Sequence, residues 1–339
     1  RDQPRSRGLG DVYKRQAYAS HQHRAETLGQ RCIYLNPFGL LGLPNARINP
    51  LQTLVDIVAS GGEIDTQAKE IAQILLPPNP KDGDGSWVRK GSTRLLSTRM
   101  EYLAHCEPEL CNLGGLWRFV NAAPEDMETA MAMMETCGIE GIARRAGALR
   151  ATFMDAPKQF EAYKADAIEA LEPFEPGKTL DRATAAHDFD FARLKHGPHT
   201  VYLIAPSEKL GVIAPWISLI VNYAIEAIAR ESGPLTTTFI LDEFPQLPPA
   251  PAIMKALRLY AGRGVQLWFF SQGRYSMEAR WSKEAVKEIE DQASIFTMTG
   301  VEDPDLMRDV EKWSGNRTIV THGQNVGGGA VESSGRNRG

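Results

Sequence analysis

TTTFILDEF, residues 236–244, decides how this chain is read. An apolar run rich in β-branched and aromatic types reads as a buried strand, and it ends in two adjacent acids, Asp242 and Glu243. In an open α/β sheet the ligand crevice lies outside the carboxyl ends of the strands. Two carboxylates delivered there have a use in nucleotide hydrolysis: one holds Mg²⁺ directly or through water, and the next orients the attacking water. Asp242 is therefore the candidate metal residue and Glu243 the candidate water-activating residue. Two acids after a strand also occur as a solvated turn or a helix start, so the motif is weighed with its surroundings.

Downstream, VQLWFFSQ (265–272) is a second apolar run, ending in Ser271 and Gln272. A glutamine at the tip of a neighbouring strand can sense a γ-phosphate or hold a catalytic water, although most strand-end glutamines are ordinary polar residues. Similar runs are RCIYLNPFG (31–39), HTVYLIAP (199–206) and ASIFTMTG (293–300), separated by helical sequence. This alternation predicts a mostly parallel sheet with helices on both faces.

Between the first and second of these runs the pattern changes. A helix end over residues 17–30 stops at Gly29, a second helix follows ARINPL (46–51), and an amphipathic run extends from about Thr66 to Leu76. PPNPKDGDG (77–85) cannot continue a helix and marks a domain boundary. From Ser86 to about Leu171 the spacing is helical throughout, which predicts an inserted all-α domain. Met127, Met131, Met133 and Met134 fall at helical spacing within it; they read as core, with an adaptable binding surface as the alternative.

The expected organisation is a leader, artefactual or disordered, at 1–16 and the first part of a nucleotide-binding domain at 17–82. The all-α insertion at 83–188, the second part of the nucleotide-binding domain at 189–320 and a Gly- and Ser-rich tail at 321–339 complete it. A natural basic arm is the other reading of the leader.

Composition excludes several classes. The net charge of −4 gives no overall basic field for nucleic acid, so any DNA contact is local or supplied by an assembly. The 4 cysteines lack zinc spacing and disulfide density, which fits free thiols in a reducing cytoplasm, and the 7 histidines show no ligand pattern. The most apolar stretch, Leu210 to Ala229, is interrupted by Pro215, Asn222 and Glu226.

The succession LDEF (241–244), a Leu-Pro turn, LRLYAGRG (257–264), VQLWFFSQ and GVEDPDLMRDVEKWSGNRT (300–318) resembles the coupling-protein ATPases of conjugation and type IV secretion. RCIYLNPFG followed by ARINPL is similar to that family's V-x-V-L-D-P-F and R-F-N-P-L step, and TVYLIAPSEKL to its T-V-Y-L strand. The likeness covers most of residues 25–320. It implies a RecA-like P-loop NTPase sheet with an inserted all-α domain, ATP and Mg²⁺ as cofactors, and Asp242 and Glu243 on the Walker B strand. It also implies a homo-hexamer at the bacterial inner membrane with this segment on the cytoplasmic side. Its partners would be a relaxase or relaxosome, single- or double-stranded DNA, and the channel ATPases and inner-membrane components of the secretion system.

The family resembles other ring ATPases in using an arginine from the neighbouring subunit. Spacing places Ala261 where that arginine is expected, which makes Arg258 and Arg263 the candidates. A second departure is larger: no G-x-x-x-x-G-K-[ST] phosphate loop occurs in the sequence, so this chain alone is expected to bind ATP weakly or not at all. Three alternatives stay open: another RecA-like ring translocase of the FtsK type, a non-hydrolysing substrate-docking module, and a truncated frame with no autonomous function.

Overall fold

In the computed structural model, which describes residues 20–77, 86–242, 244–247, 251–299 and 304–315, the sequence runs around Ile33, Val201, Phe239 and Leu267 are strands. β1 (Arg31–Leu35) pairs in parallel with β2 (His199–Leu203), and β3 (Thr237–Leu241) with β4 (Val265–Phe269). The helices, in chain order, are α1 (Gln52–Ala59), α2 (Asp65–Leu75), α3 (Ser86–Cys106), α4 (Leu113–Val120), α5 (Pro124–Glu135), α6 (Glu140–Asp155) and α7 (Pro157–Leu171). They continue with α8 (Thr179–Thr184), α9 (Leu210–Arg230), α10 (Pro251–Lys255), α11 (Arg274–Trp281), α12 (Lys283–Gln292) and α13 (Pro304–Ser314). The chain divides into two compact units, Arg1–Gln292 and Ala293–Gly339.

Both strand pairs and the helices α1–α12 lie in the first unit and share one hydrophobic core. α9 runs through it. Its LGVIAPWISLIVNYAIEAIAR sequence is apolar on nearly every side, as expected of a helix with core all round. With a mean hydropathy of 1.7 it is long and apolar enough to cross a membrane, but 72% of that apolar window is buried inside the fold. Pro215 sits in the second turn of α9 and costs it one backbone hydrogen bond without ending it.

From Ser86 to Thr184 the described residues are helices and short turns, in agreement with the helical spacing. α2 packs directly on α3, across the sequence boundary expected at 77–85, of which 78–85 lie outside the described residues. Met127, Met131 and Met134 are buried in the core, whereas Met133 faces solvent. Local signals set the ends. Asn112 caps α4, its Oδ1 accepting from the Gly115 N–H at 2.8 Å, and Pro stands in the first turn of α5 and of α7.

The structure departs from the expected sheet in three respects. The strands form two separate pairs rather than one sheet. A two-stranded ribbon is marginal by itself, and each pair is anchored by the side chains it sends into the shared core, among them Ile33, Leu35, Leu241 and Val265. Secondly, among the described residues helices do not cover both faces of the second pair: Ile240, Trp268 and Phe270 are 57%, 56% and 46% exposed on one side of it. Thirdly, residues 293–299 form no strand, and Ile295 is 85% exposed. An apolar run becomes a strand only where its amides and carbonyls find a ladder. Among the described residues of this second unit, Phe296 packs edge-to-face against Trp313 of α13 with ring centroids 5.7 Å apart.

Candidate active site

The carboxyl ends of β3 and β4 are joined beyond the strands themselves. The Phe270 N–H donates to the Leu241 carbonyl at 3.2 Å, and the Phe244 N–H donates to the Phe270 carbonyl at 2.9 Å. The turn after β3 is thereby clasped around Phe270, which brings Asp242 beside Gln272. Parallel pairing makes this possible, because both strands reach their carboxyl ends on the same side of the ribbon.

Phe244 anchors the clasp from below. Its ring is fully buried, with centroids 4.6 Å from Phe269 and 4.5 Å from Trp281 of α11. Trp281 in turn donates its indole N–H to the Leu247 carbonyl at 3.1 Å. An aromatic stack under an acidic turn fixes the backbone while leaving the acid facing outward.

Above it lies a pocket of about 200 Å³ lined by Asp242, Pro245, Gln246, Phe270, Ser271, Gln272 and Ser276. Two serines organise its far wall around Gly273: the Ser271 and Ser276 hydroxyls donate to the Gly273 carbonyl at 2.9 and 2.7 Å, and the Gly273 N–H donates back to Ser271 Oγ at 3.2 Å. Apart from Pro245 and Phe270, the lining is a set of oxygen and amide groups around one exposed carboxylate, the donor type that Mg²⁺ prefers. No lysine or arginine is among its lining residues, so the described part of the pocket offers one carboxylate and a polar wall but no cationic side chain.

Of the residues singled out in the sequence, Asp242 and Gln272 come together here, and Glu243 lies outside the described residues. Arg258 and Arg263 do not join them. Arg263 ends the turn that precedes β4, at the opposite end of that strand from Gln272. Arg258 lies on the short π-helical turn Ala256–Tyr260, where it forms a forked ion pair with Glu288 of α12, Nη2 to Oε2 at 2.6 Å. Hydrogen bonding in this pair raises the pKa of Arg258 and lowers that of Glu288. Next to it, Lys255 bonds Glu70 of α2 at 2.6 Å and lies 3.6 Å from Glu226 of α9. Burial works against that ammonium, yet Glu70 and Glu226 together hold its pKa above the ordinary lysine value.

The matched family model is that of the type IV secretory system conjugative DNA transfer proteins, and it spans residues 13–337. The chain belongs to this family. Among solved structures it is similar to the bacterial conjugative coupling protein TrwB in its unbound monoclinic form. That match, to TrwBdeltaN70, has a TM-score of 0.57 and 14% identity, and it covers 84% of this chain and 64% of that one. The same protein with the non-hydrolysable GTP analogue GDPNP matches at a TM-score of 0.57 and 14% identity, over 84% of this chain and 66% of that one. With ADP and Mg²⁺ it matches at 0.55 and 14% identity, over the same shares. At this identity the likeness shows the fold, and the chain spans less than two thirds of the unbound TrwB chain. No curated protein matches it.

For this conjugative-transfer family member the sequence pointed to Asp242 and Gln272 but missed the serine wall. Ser271 was visible as a strand-end polar residue. Ser276 carried no signal, because its place depends on how the loop at Gly273 folds back onto Ser271.

Proposed function

We propose that the complete protein containing this chain is an ATP-driven coupling protein that recruits relaxase-bound DNA or protein substrates and feeds them into a type IV secretion channel. It would work as a homo-hexamer at the inner membrane, with this segment on the cytoplasmic side. The helices from α3 to α8 would form the inserted domain offered to substrate. The observation that carries the reading is the meeting of Asp242 and Gln272 in one pocket, at the carboxyl ends of adjacent parallel strands. Membership of the conjugative DNA transfer family supports it, as does the nucleotide bound by TrwB.

Within this pocket Asp242 would hold Mg²⁺, which when bound with ATP neutralises charge on the phosphates. Glu243 would take a proton from the attacking water, and the Gln272 amide would orient that water or contact the γ-phosphate. The Phe244 stack keeps Asp242 outward, and the clasp keeps Gln272 in the same pocket. The lysine facing the phosphates would come from sequence that this chain does not contain.

The test is Glu243→Gln in the complete protein, assayed for ATP turnover and for plasmid transfer between cells. Turnover falling on the order of 10²-fold, with transfer abolished and protein levels unchanged, is the expected result. Normal transfer with turnover abolished would favour the non-hydrolysing docking module instead.

A further inference from the structure

Lys195 is buried, with 2% of its surface exposed, and its ammonium meets carbonyl oxygens rather than a carboxylate. It donates to the carbonyl of Arg263 and, at 3.5 Å, to that of Gly264. Burying an ammonium is costly unless hydrogen bonds replace its water, and here two backbone acceptors at the end of the Ala261–Arg263 turn do so. The surroundings are cut to fit it. A Cβ on Gly264 would lie 2.6 Å from Lys195 Nζ, and one on Gly233 would lie 2.6 Å from Lys195 Cβ. Gly264 also has φ +70°, a left-handed backbone conformation that favours glycine there.

The main chain repeats the arrangement. The Lys195 carbonyl accepts from the Leu235 N–H at 3.4 Å, just before β3, while the Gly264 carbonyl accepts from the Thr237 N–H at 2.9 Å. One residue therefore ties together the segments that lead into both strands of the candidate site, at the end of the ribbon remote from Asp242 and Gln272. What lies at that end is Arg263, whose side chain is exposed, whereas Arg258 is occupied by Glu288 of its own chain.

We infer that Lys195 is a positioning residue, which fixes the turn carrying Arg263 so that this arginine meets the nucleotide bound by a neighbouring subunit. The inference rests on the ring-ATPase reading above. It separates the two candidate arginines by geometry: Arg263 acts between subunits, and Arg258 holds its own chain together.

The experiment measures ATP turnover by the complete protein as Lys195→Met, Arg263→Ala and Glu243→Gln, each alone and in mixed rings. Alone, Arg263→Ala lowers turnover on the order of 10²-fold or more. Lys195→Met lowers kcat by about tenfold, a smaller loss because its effect is indirect, with KM for ATP unchanged. Mixing Lys195→Met with Glu243→Gln subunits restores turnover above that of either alone, because an intact acidic site on one subunit faces a well-held Arg263 on the next. A cis defect or loss of folding gives no such recovery.

Mixtures of Arg263→Ala with Glu243→Gln are the reference. Recovery there but none with Lys195→Met, or unchanged turnover in Lys195→Met alone, overturns the role of Lys195 and leaves the ring reading standing. No recovery in the reference mixture overturns the trans role of Arg263, and the inference with it. Should Lys195→Met fail to assemble, Lys195→Leu, which also removes the donor to the two carbonyls, replaces it in the same mixtures, with the same recovery expected.

Discussion

The two strand pairs are built alike and finished differently. Each is parallel, five residues long and in continuous register. In the first pair both faces are occupied. Ile33 and Leu35 enter the core on one side, and on the other Tyr34 and Tyr202 stack at 5.7 Å, with His21 edge-on to Tyr34 and Ser20 Oγ 3.1 Å from the Tyr202 hydroxyl. Its carboxyl end is closed as well. Asn36 is fully buried, its Nδ2 donating to the carbonyls of Leu40 and Leu43 at 2.9 and 3.0 Å and its Oδ1 accepting from the Leu40 N–H at 3.0 Å. In the second pair one face is bare, and the carboxyl end opens onto a pocket with Asp242 and Gln272 exposed. Where a strand end turns its polar groups inward the role is architectural; where it turns them out toward a pocket, chemistry has a place to happen.

The open end depends most on its anchor. Phe244→Ala removes a fully buried ring from between Phe269 and Trp281 and is expected to cost about 3–5 kcal/mol in denaturant unfolding. An unfolding free energy within error of the parent would mean that the turn is not held from below. At the closed end, Asn36→Ala strands the Leu40 amide and two carbonyls, for about 1–3 kcal/mol.

A smaller, pH-dependent effect belongs to His187, near the closed half. It is paired with the Tyr223 hydroxyl at 3.1 Å, and burial lowers its pKa. The folded state therefore favours the neutral ring. Its contribution to stability is complete above the ordinary histidine pKa of about 6.5 and is lost as pH falls from there through the depressed folded value. His187→Phe should flatten that part of the stability profile, and an unchanged slope would remove His187 as its source. Smallest of all is Trp268→Ser on the bare face, expected to change the stability of this chain by less than about 0.5 kcal/mol. A loss comparable with that of Phe244→Ala would show the face to be covered after all.

Much of this was legible in the sequence because it rests on local pattern. β-branched and aromatic runs located β1 to β4, and the helical spacing of residues 86–171 located α3 to α7. The acid-ended strand and the glutamine-ended strand identified the two residues that meet. What was not legible depends on partners distant in the chain. Whether 293–299 becomes a strand is decided by an available ladder, and whether Trp268 is covered is decided by what packs on it. Lys195 carried no signal at all, since a lysine at the end of LK reads as surface until the carbonyls of Arg263 and Gly264 are found against it.

In the proposed site Asp242, brought into one pocket with Gln272 by the clasp around Phe270, would be the carboxylate that holds Mg²⁺ for ATP hydrolysis. The most direct test is the Mg²⁺-dependent ATP turnover of the complete protein carrying Asp242→Asn, an exchange that keeps the shape of the side chain and removes its charge. A fall on the order of 10²-fold or more is expected, with the oligomer and its melting temperature preserved. Turnover equal to that of the parent, with the same dependence on Mg²⁺, would contradict it.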